Sequence, residues 1–131
     1  MLNKRHLLVG LALVATLAVS APLIAMSKKP FDAQAFEAAQ AAGQPILVEV
    51  SAPWCPTCRA QKPILANLGT KPKFKDVAHF DIDFDSQKDL LRKFNVRSQS
   101  TLITFKGKQE VGRSTGDTNA ASIERLLDKA L

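Results

Sequence analysis

Cys55 and Cys58 are the only cysteines of the 131-residue chain. Two residues separate them in Ser51-Ala52-Pro53-Trp54-Cys55-Pro56-Thr57-Cys58-Arg59, which also holds the only tryptophan. This spacing constrains the chain more than any other feature. Two cysteines so placed can close a small disulfide ring or act together as a dithiol. Apolar Ile46-Leu47-Val48 runs into the pair, and a helical pattern runs out of it. With Cys55 at the helix start, its sulfur meets unpaired backbone N–H groups and the positive end of the helix dipole. Both stabilise the thiolate. Cys58 falls one turn on and is expected to be the less exposed. The arrangement supplies a nucleophile, Cys55, and a resolving thiol, Cys58. Trp54 is expected to pack beside the pair. Pro56 suits the first helical turn, where its missing N–H is not needed.

Other uses of such a pair are an inert structural disulfide and half of a zinc site. A CxxC beside a βαβ pattern reads as redox first. Structural zinc wants four ligands. The histidines are His6 and His79, and His6 lies in the leader, so four ligands within one chain are not available and no metal site is assigned. A binding module from another class, holding Cu(I) between the two thiolates or escorting a partner, is the alternative. Both methionines, Met1 and Met26, lie in the leader and lend it no support.

The first 26 residues read as a targeting segment. Lys4, Arg5 and His6 form a positive start, and Leu7 to Met26 carries no charge. That is a secretory signal, with Ala18-Val19-Ser20 or Leu23-Ile24-Ala25 before the cut, or an uncleaved membrane anchor. Either use puts the remainder outside the cytoplasm, since the positive end stays inside. The expected division is a signal peptide or anchor over 1–26, a linker over 27–30 and one domain over 31–131. The formal charge of +6 falls to +4 without the leader. Lys71, Lys73 and Lys75 form the one basic cluster, read as a solvated face against a docking patch for an acidic partner. No aromatic interleaving supports nucleic-acid binding.

After the leader the order reads α-β-α-β-α-β-β-α, an α/β domain. Asp32 suits an N-cap, with Phe31 stapled to Phe36, for a helix that Gly43 and Pro45 end. Ile46 to Val50 is a strand covered on both faces, interrupted by Glu49. A helix follows from Cys55 to Leu68, kinked at Pro63. Lys71 to Asp76 reads as a loop and Val77 to Phe84 as a strand. Ser86 would cap a helix ending at Phe94, with Leu90, Leu91 and Phe94 inward. Thr101–Phe105 and Gln109–Ser114 form a hairpin about Lys106-Gly107-Lys108. Thr118 or Asn119 would cap a last helix with Ile123, Leu126, Leu127 and Ala130 on one face.

At Trp54-Cys55-Pro56-Thr57-Cys58 within that order, the chain resembles the thioredoxin family over nearly all of 31–131. Pro63, five residues after the second cysteine, matches the family's helix kink. Gly116 looks like the glycine that lets backbone approach the site. The WCPTC form is similar to extracytoplasmic thioredoxin-like reductases. The resemblance implies a central mixed sheet of about four strands flanked by helices. It also implies dithiol–disulfide exchange with protein partners through a Cys55–Cys58 redox disulfide. No cofactor is needed, a membrane-bound partner would restore the dithiol, and the protein would be a monomer, in the bacterial periplasm. Trp54, Pro56, Thr57, Gln99, Ser100 and Thr101 would meet substrate.

The family's pattern is broken at three positions. Ser100 stands where a cis-proline usually faces the dithiol. A non-proline cis bond costs about 3 kcal/mol, so the Gln99–Ser100 peptide is trans or strained, and the Ser100 hydroxyl can reach for the Cys55 sulfur. Glu49 replaces a buried aspartate. Its carboxyl would be raised by burial and relay a proton to and from Cys58. His79 replaces a lysine and can pair with Glu49 or be satisfied elsewhere in the sheet.

Overall fold

The computed structural model describes residues 25–131. The targeting segment assigned to 1–26 therefore lies almost wholly outside the described residues. The elements run β1 (Lys28–Pro30), α1 (Ala33–Ala41), β2 (Pro45–Ser51), α2 (Pro56–Gly69), β3 (Ala78–Asp83), α3 (Lys88–Lys93), β4 (Thr101–Lys106), β5 (Gln109–Thr115) and α4 (Ala120–Asp128). They build one mixed sheet in the order β1-β3-β2-β4-β5. Strands β1, β3 and β2 are parallel, and β4 and β5 run antiparallel to their neighbours.

The sheet has five strands rather than about four. The added strand is Lys28–Pro30, expected to be linker, which pairs with β3 from Lys28 opposite His79 to Pro30 opposite Asp81. Its three exposed residues show no apolar alternation. Only backbone pairing makes it a strand, and Pro30, with no N–H to give, is tolerated at an edge.

Strand β2 lies at the centre, and its alternation divides the core. Ile46, Val48 and Val50 face one layer; Leu47 faces the other. On the first side, α1 adds Phe36, and α3 with its C-cap residue adds Leu91 and Phe94, to a cluster that Phe31, Phe80 and Phe105 complete. Ring centroids there lie 5.3 Å apart for Phe31 and Phe36, and 5.8 Å for Phe36 and Phe80. On the second side, α2 gives Leu65 and Leu68, and α4 gives Ile123, Leu126 and Leu127. Each such aliphatic side chain contributes about 1.5–3 kcal/mol on burial. Glu49 shares the Leu47 side by strand parity, so β2 carries a carboxyl into the layer beneath α2.

Local signals behave as the residues dictate. Asp32 Oδ1 accepts from Ala35 N–H at 2.7 Å, and Asn119 Oδ1 from Ser122 N–H at 2.9 Å. Two readings change. The 71–76 loop contains a 3₁₀ turn, Pro72–Phe74, that buries Phe74 fully. Ser86 does not cap α3; Gln87 occupies that position without a side-chain cap bond, and Ser86 N–H is held by Asp83 Oδ1 at 3.3 Å. Two of the cluster lysines are paired. Lys71 meets Glu124 at 2.7 Å, and Lys73 meets Glu124 at 2.8 Å and Asp128 at 2.6 Å. Hydrogen bonds from Lys71, then Lys73, hold the Glu124 carboxyl down at about 2.

Candidate active site

Strand β2 ends at Ser51, the chain turns through Ala52-Pro53-Trp54, and Cys55 becomes the N-cap of α2. Its backbone is extended, at φ −80° and ψ 112°, and its Sγ accepts from Cys58 N–H at 3.1 Å. The sulfur thus takes the place a serine or aspartate oxygen holds at other helix starts. Pro56 is the first helical residue. Cys55 and Cys58 are disulfide-bonded, with Cα atoms 5.3 Å apart.

Exposure differs from expectation. Cys55 is 1 % exposed and Cys58 6 %. In this oxidised form the Cys55 sulfur is bonded to Cys58 and accepts from the Cys58 N–H of its own helix. Both cysteines pack with Ala52 against Phe84. Trp54 is not packed away beside them: it is 53 % exposed, stands edge-on to Phe84 at 6.4 Å, and donates its Nε1–H to Asp85 Oδ2 at 2.9 Å. Pro56 is exposed and Thr57 half-buried.

Glu49 is buried and doubly partnered. Its Oε2 lies 2.7 Å from His79 Nε2, and its Oε1 3.4 Å from Lys28 Nζ. Lys28 also reaches Asp81 Oδ1 at 3.6 Å, and Ser51 Oγ donates to that same oxygen at 2.7 Å. Burial, the largest single effect, pushes the Glu49 carboxyl up. The His79 hydrogen bond, the His79 charge and Lys28 together outweigh it, and the carboxyl ends below its ordinary value. The expectation of a raised carboxyl is therefore corrected: a lone buried acid would be raised, but this one has a histidine and an ammonium against it. An ionised carboxylate only accepts, so His79 Nε2–H is the donor. A cavity of about 400 Å³ is lined by both Glu49 and Cys58, with Ser51, Asp81 and Lys28 on its wall.

The loop before β4 departs furthest from the resemblance. Among the described residues there is no cis peptide, so Gln99–Ser100 is trans. Ser100 takes φ +58° instead. Its N–H donates to Val50 O at 2.8 Å, a bond no proline could make. Its hydroxyl donates to Gln99 O at 2.6 Å and makes no hydrogen bond to Cys55. Gln99 is half-buried and Thr101 buried, with the Thr101 hydroxyl on Ser98 O at 2.8 Å. Gly116 is required by φ +74° rather than by close approach, since a Cβ there would meet nothing within 4 Å.

Sequence reasoning missed Gln61. It is fully buried on α2 and donates through Nε2 to Ser100 O at 3.2 Å and Asp117 O at 2.9 Å. The signal was a lone amide on the inward stripe Cys58, Gln61, Leu65, Leu68. Among the described residues, no group of three or more His, Cys, Asp and Glu side chains is placed to hold a metal ion.

Comparison with known proteins agrees with this geometry. The family model described as thioredoxin matches residues 25–129. The chain is 33 % identical over 101 residues to thioredoxin Asp f 29 of Aspergillus fumigatus, covering 76 % of this chain and 91 % of that protein. It is 33 % identical over 94 residues to an H-type thioredoxin of Fagopyrum esculentum, covering 72 % and 76 %. Among solved structures, Trxlp from Edwardsiella tarda EIB202 superposes with a TM-score of 0.75 at 42 % identity, over 77 % of this chain and 98 % of that one. The disulfide that caps the helix leaving the central strand, in a five-stranded mixed sheet, lies within the residues the family model matches, and the chain belongs to the thioredoxin family of thiol–disulfide oxidoreductases.

Proposed function

We propose that the chain is an extracytoplasmic reductase of protein disulfides, recharged by a membrane-bound dithiol donor. The chemistry rests on Cys55 at the N-cap of α2, where its sulfur accepts from Cys58 N–H at 3.1 Å. The same N–H would stabilise a Cys55 thiolate once the disulfide opens. The location rests on the positive start and the uncharged Leu7–Met26 stretch. The direction rests on the likeness of WCPTC to extracytoplasmic reductases.

Cys55 thiolate attacks one sulfur of a substrate disulfide, and the other substrate sulfur leaves and takes a proton. Cys58 then loses its proton, attacks Cys55 Sγ, and expels the second substrate thiol. Two electrons pass to substrate, and the Cys55–Cys58 disulfide forms. Glu49 receives the Cys58 proton across the shared cavity, which is large and polar enough to admit water. Trp54, Pro56, Thr57 and Gln99 form the surface that meets the substrate chain; Ser100 and Thr101, expected there too, are buried and shape it from beneath. No cofactor and no metal enter the cycle, and the protein acts as a monomer.

Insulin reduction with dithiothreitol as donor tests the chemistry: wild type is active and Cys55→Ser is not. Full activity in Cys55→Ser overturns the mechanism. A phosphatase active only outside the cytoplasm, fused after Leu131, tests the location, and an inactive fusion overturns it.

A further inference from the structure

Gln61 has no part in thiol chemistry, yet it is a fully buried amide one turn beyond Cys58 on α2. Its two donated bonds go to carbonyls of different loops, Ser100 O before β4 and Asp117 O after β5. They also fix which way the amide faces, because a flipped amide would set its oxygen against two carbonyl oxygens. The consequence is that Gln61 Oε1 is buried without a hydrogen-bond partner. An unpaired buried acceptor is unfavourable, so the two bonds on Nε2 come with a penalty.

What those bonds secure is Ser100. At φ +58° the Cβ of an L-residue crowds its neighbouring carbonyl, and such a conformation persists only where the surroundings over-determine it. Ser100 N–H is held by Val50 O, and Ser100 O accepts from Gly116 N–H at 3.0 Å as well as from Gln61. Of these contacts, only the Gln61 bond comes from the helix that carries the two cysteines.

We infer that Gln61 is a positioning residue for exchange with protein disulfides. It fastens the 98–100 and 116–117 loops to α2 and keeps Ser100 left-handed, so that half-buried Gln99 is held at the disulfide end of the sheet. The inference rests on the proposed function, in which Gln99 helps receive the substrate chain. A small disulfide needs no such wall, so the effect is selective for protein substrates.

The test compares wild type, Gln61→Leu and Gln61→Leu/Ser100→Gly on insulin and on the small disulfide 5,5′-dithiobis(2-nitrobenzoate). In Gln61→Leu, KM for insulin rises about tenfold, roughly one hydrogen bond of positioning. The rate with the small disulfide changes less than about twofold on the same argument, and the reduction potential against glutathione is unmoved. Adding Ser100→Gly restores most of the insulin KM, because glycine reaches a positive φ without the Cβ clash. Loss of a merely structural contact would not be repaired at position 100. Amide exchange at Gly116 N–H, read by NMR, is faster in Gln61→Leu, and Gln61→Met serves both readouts if the leucine variant does not fold. An unchanged insulin KM, an equal loss on both disulfides, or no recovery with Ser100→Gly each overturns the inference alone. A wild type that reduces neither disulfide overturns the exchange reading and this inference with it.

Discussion

Replacing Glu49 by glutamine separates its charge from its shape. The pair it forms is buried on both sides, with His79 Nε2 at 2.7 Å. A glutamine oxygen can keep the His79 hydrogen bond, but its NH2 then points towards Lys28, leaving donor against donor where Oε1 stood at 3.4 Å. Exchanging a charge-assisted bond for a neutral one costs about 1–2 kcal/mol. For a domain of this size that is about 5–15 °C in Tm. The cost depends on pH in a defined sense. Folding lowers the Glu49 carboxyl below its ordinary value of 4.5, so its contribution is complete above that value and vanishes as pH falls through the lower, folded one. The gap in Tm between wild type and Glu49→Gln should therefore narrow on acidification, while His79 and Lys28 still face the site.

The kinetic consequence follows from the same lowering. A general base contributes about 10²–10⁴-fold, and a carboxylate held below its ordinary value is a weak base, which puts Glu49 at the low end. Resolution of the mixed disulfide by Cys58 should slow about 100-fold at pH 7 in Glu49→Gln. Acid-quenched single turnovers with a fluorescent peptide disulfide measure the lifetime directly. The deficit should close above about pH 8.5, where a free thiol ionises without help. A deficit of constant size from pH 6 to 9, or no deficit, would refute the relay and leave Glu49 a structural pair.

Three further outcomes are expected. Cys58→Ser should accumulate a mixed disulfide on Cys55, seen as a mass increase on non-reducing analysis, while Cys55→Ser should fall to background in insulin reduction; no adduct with Cys58→Ser would contradict the assigned order of attack. Ser100→Pro should lower Tm by about 10 °C or more, because proline cannot take φ +58° and leaves Val50 O without its donor, at about 1–3 kcal/mol for the unpaired carbonyl alone. A Tm within about 2 °C of wild type would mean the loop re-forms around the proline at no cost. Phe36→Ala, at the meeting point of Phe31, Phe80, Phe94 and Phe105, should lose about 3–5 kcal/mol in urea unfolding, and a loss below about 1 kcal/mol would show that the aromatic layer collapses into the gap.

The fold was legible wherever local chemistry and periodicity agree. Asp32 and Asn119 cap helices because a short acceptor before an apolar stripe has few other uses, and Ile46 to Val50 reads as a doubly covered strand because almost every residue is apolar. Legibility failed where the partner is distant. Lys28–Pro30 is a strand only because β3 is beside it, some fifty residues on by the Lys28–His79 register. Phe74 looked like one apolar residue in a lysine-rich loop, and its burial is set by α2 and α4 rather than by its neighbours. Two of the three lysines around it, Lys71 and Lys73, are neutralised by Glu124 and Asp128, one face of a helix that begins at Ala120.

The site divides along the same line, and the division bears on mechanism. Cys55, Cys58 and Pro56 act through local geometry, so their spacing was enough to place them. The environment of Glu49 is a balance of burial against distant partners; the sequence offered burial and His79 as one possible partner but not Lys28, and the expected direction was the opposite of the one found. Ser100 shows the same effect in backbone form. Its identity suggested either a trans peptide or a strained cis one, with a hydroxyl free to reach the sulfur. The trans peptide is accommodated by moving the strain into φ, and that is stable only because Val50 O, Gly116 N–H and Gln61 Nε2 are aimed at one residue from three elements. Proline would build that turn's constraint into the covalent ring of a single residue. Here it is distributed over three hydrogen bonds, of which only the one from Gln61 comes from a side chain, so the shape of the wall beside the dithiol can be altered at Gln61 without touching either cysteine.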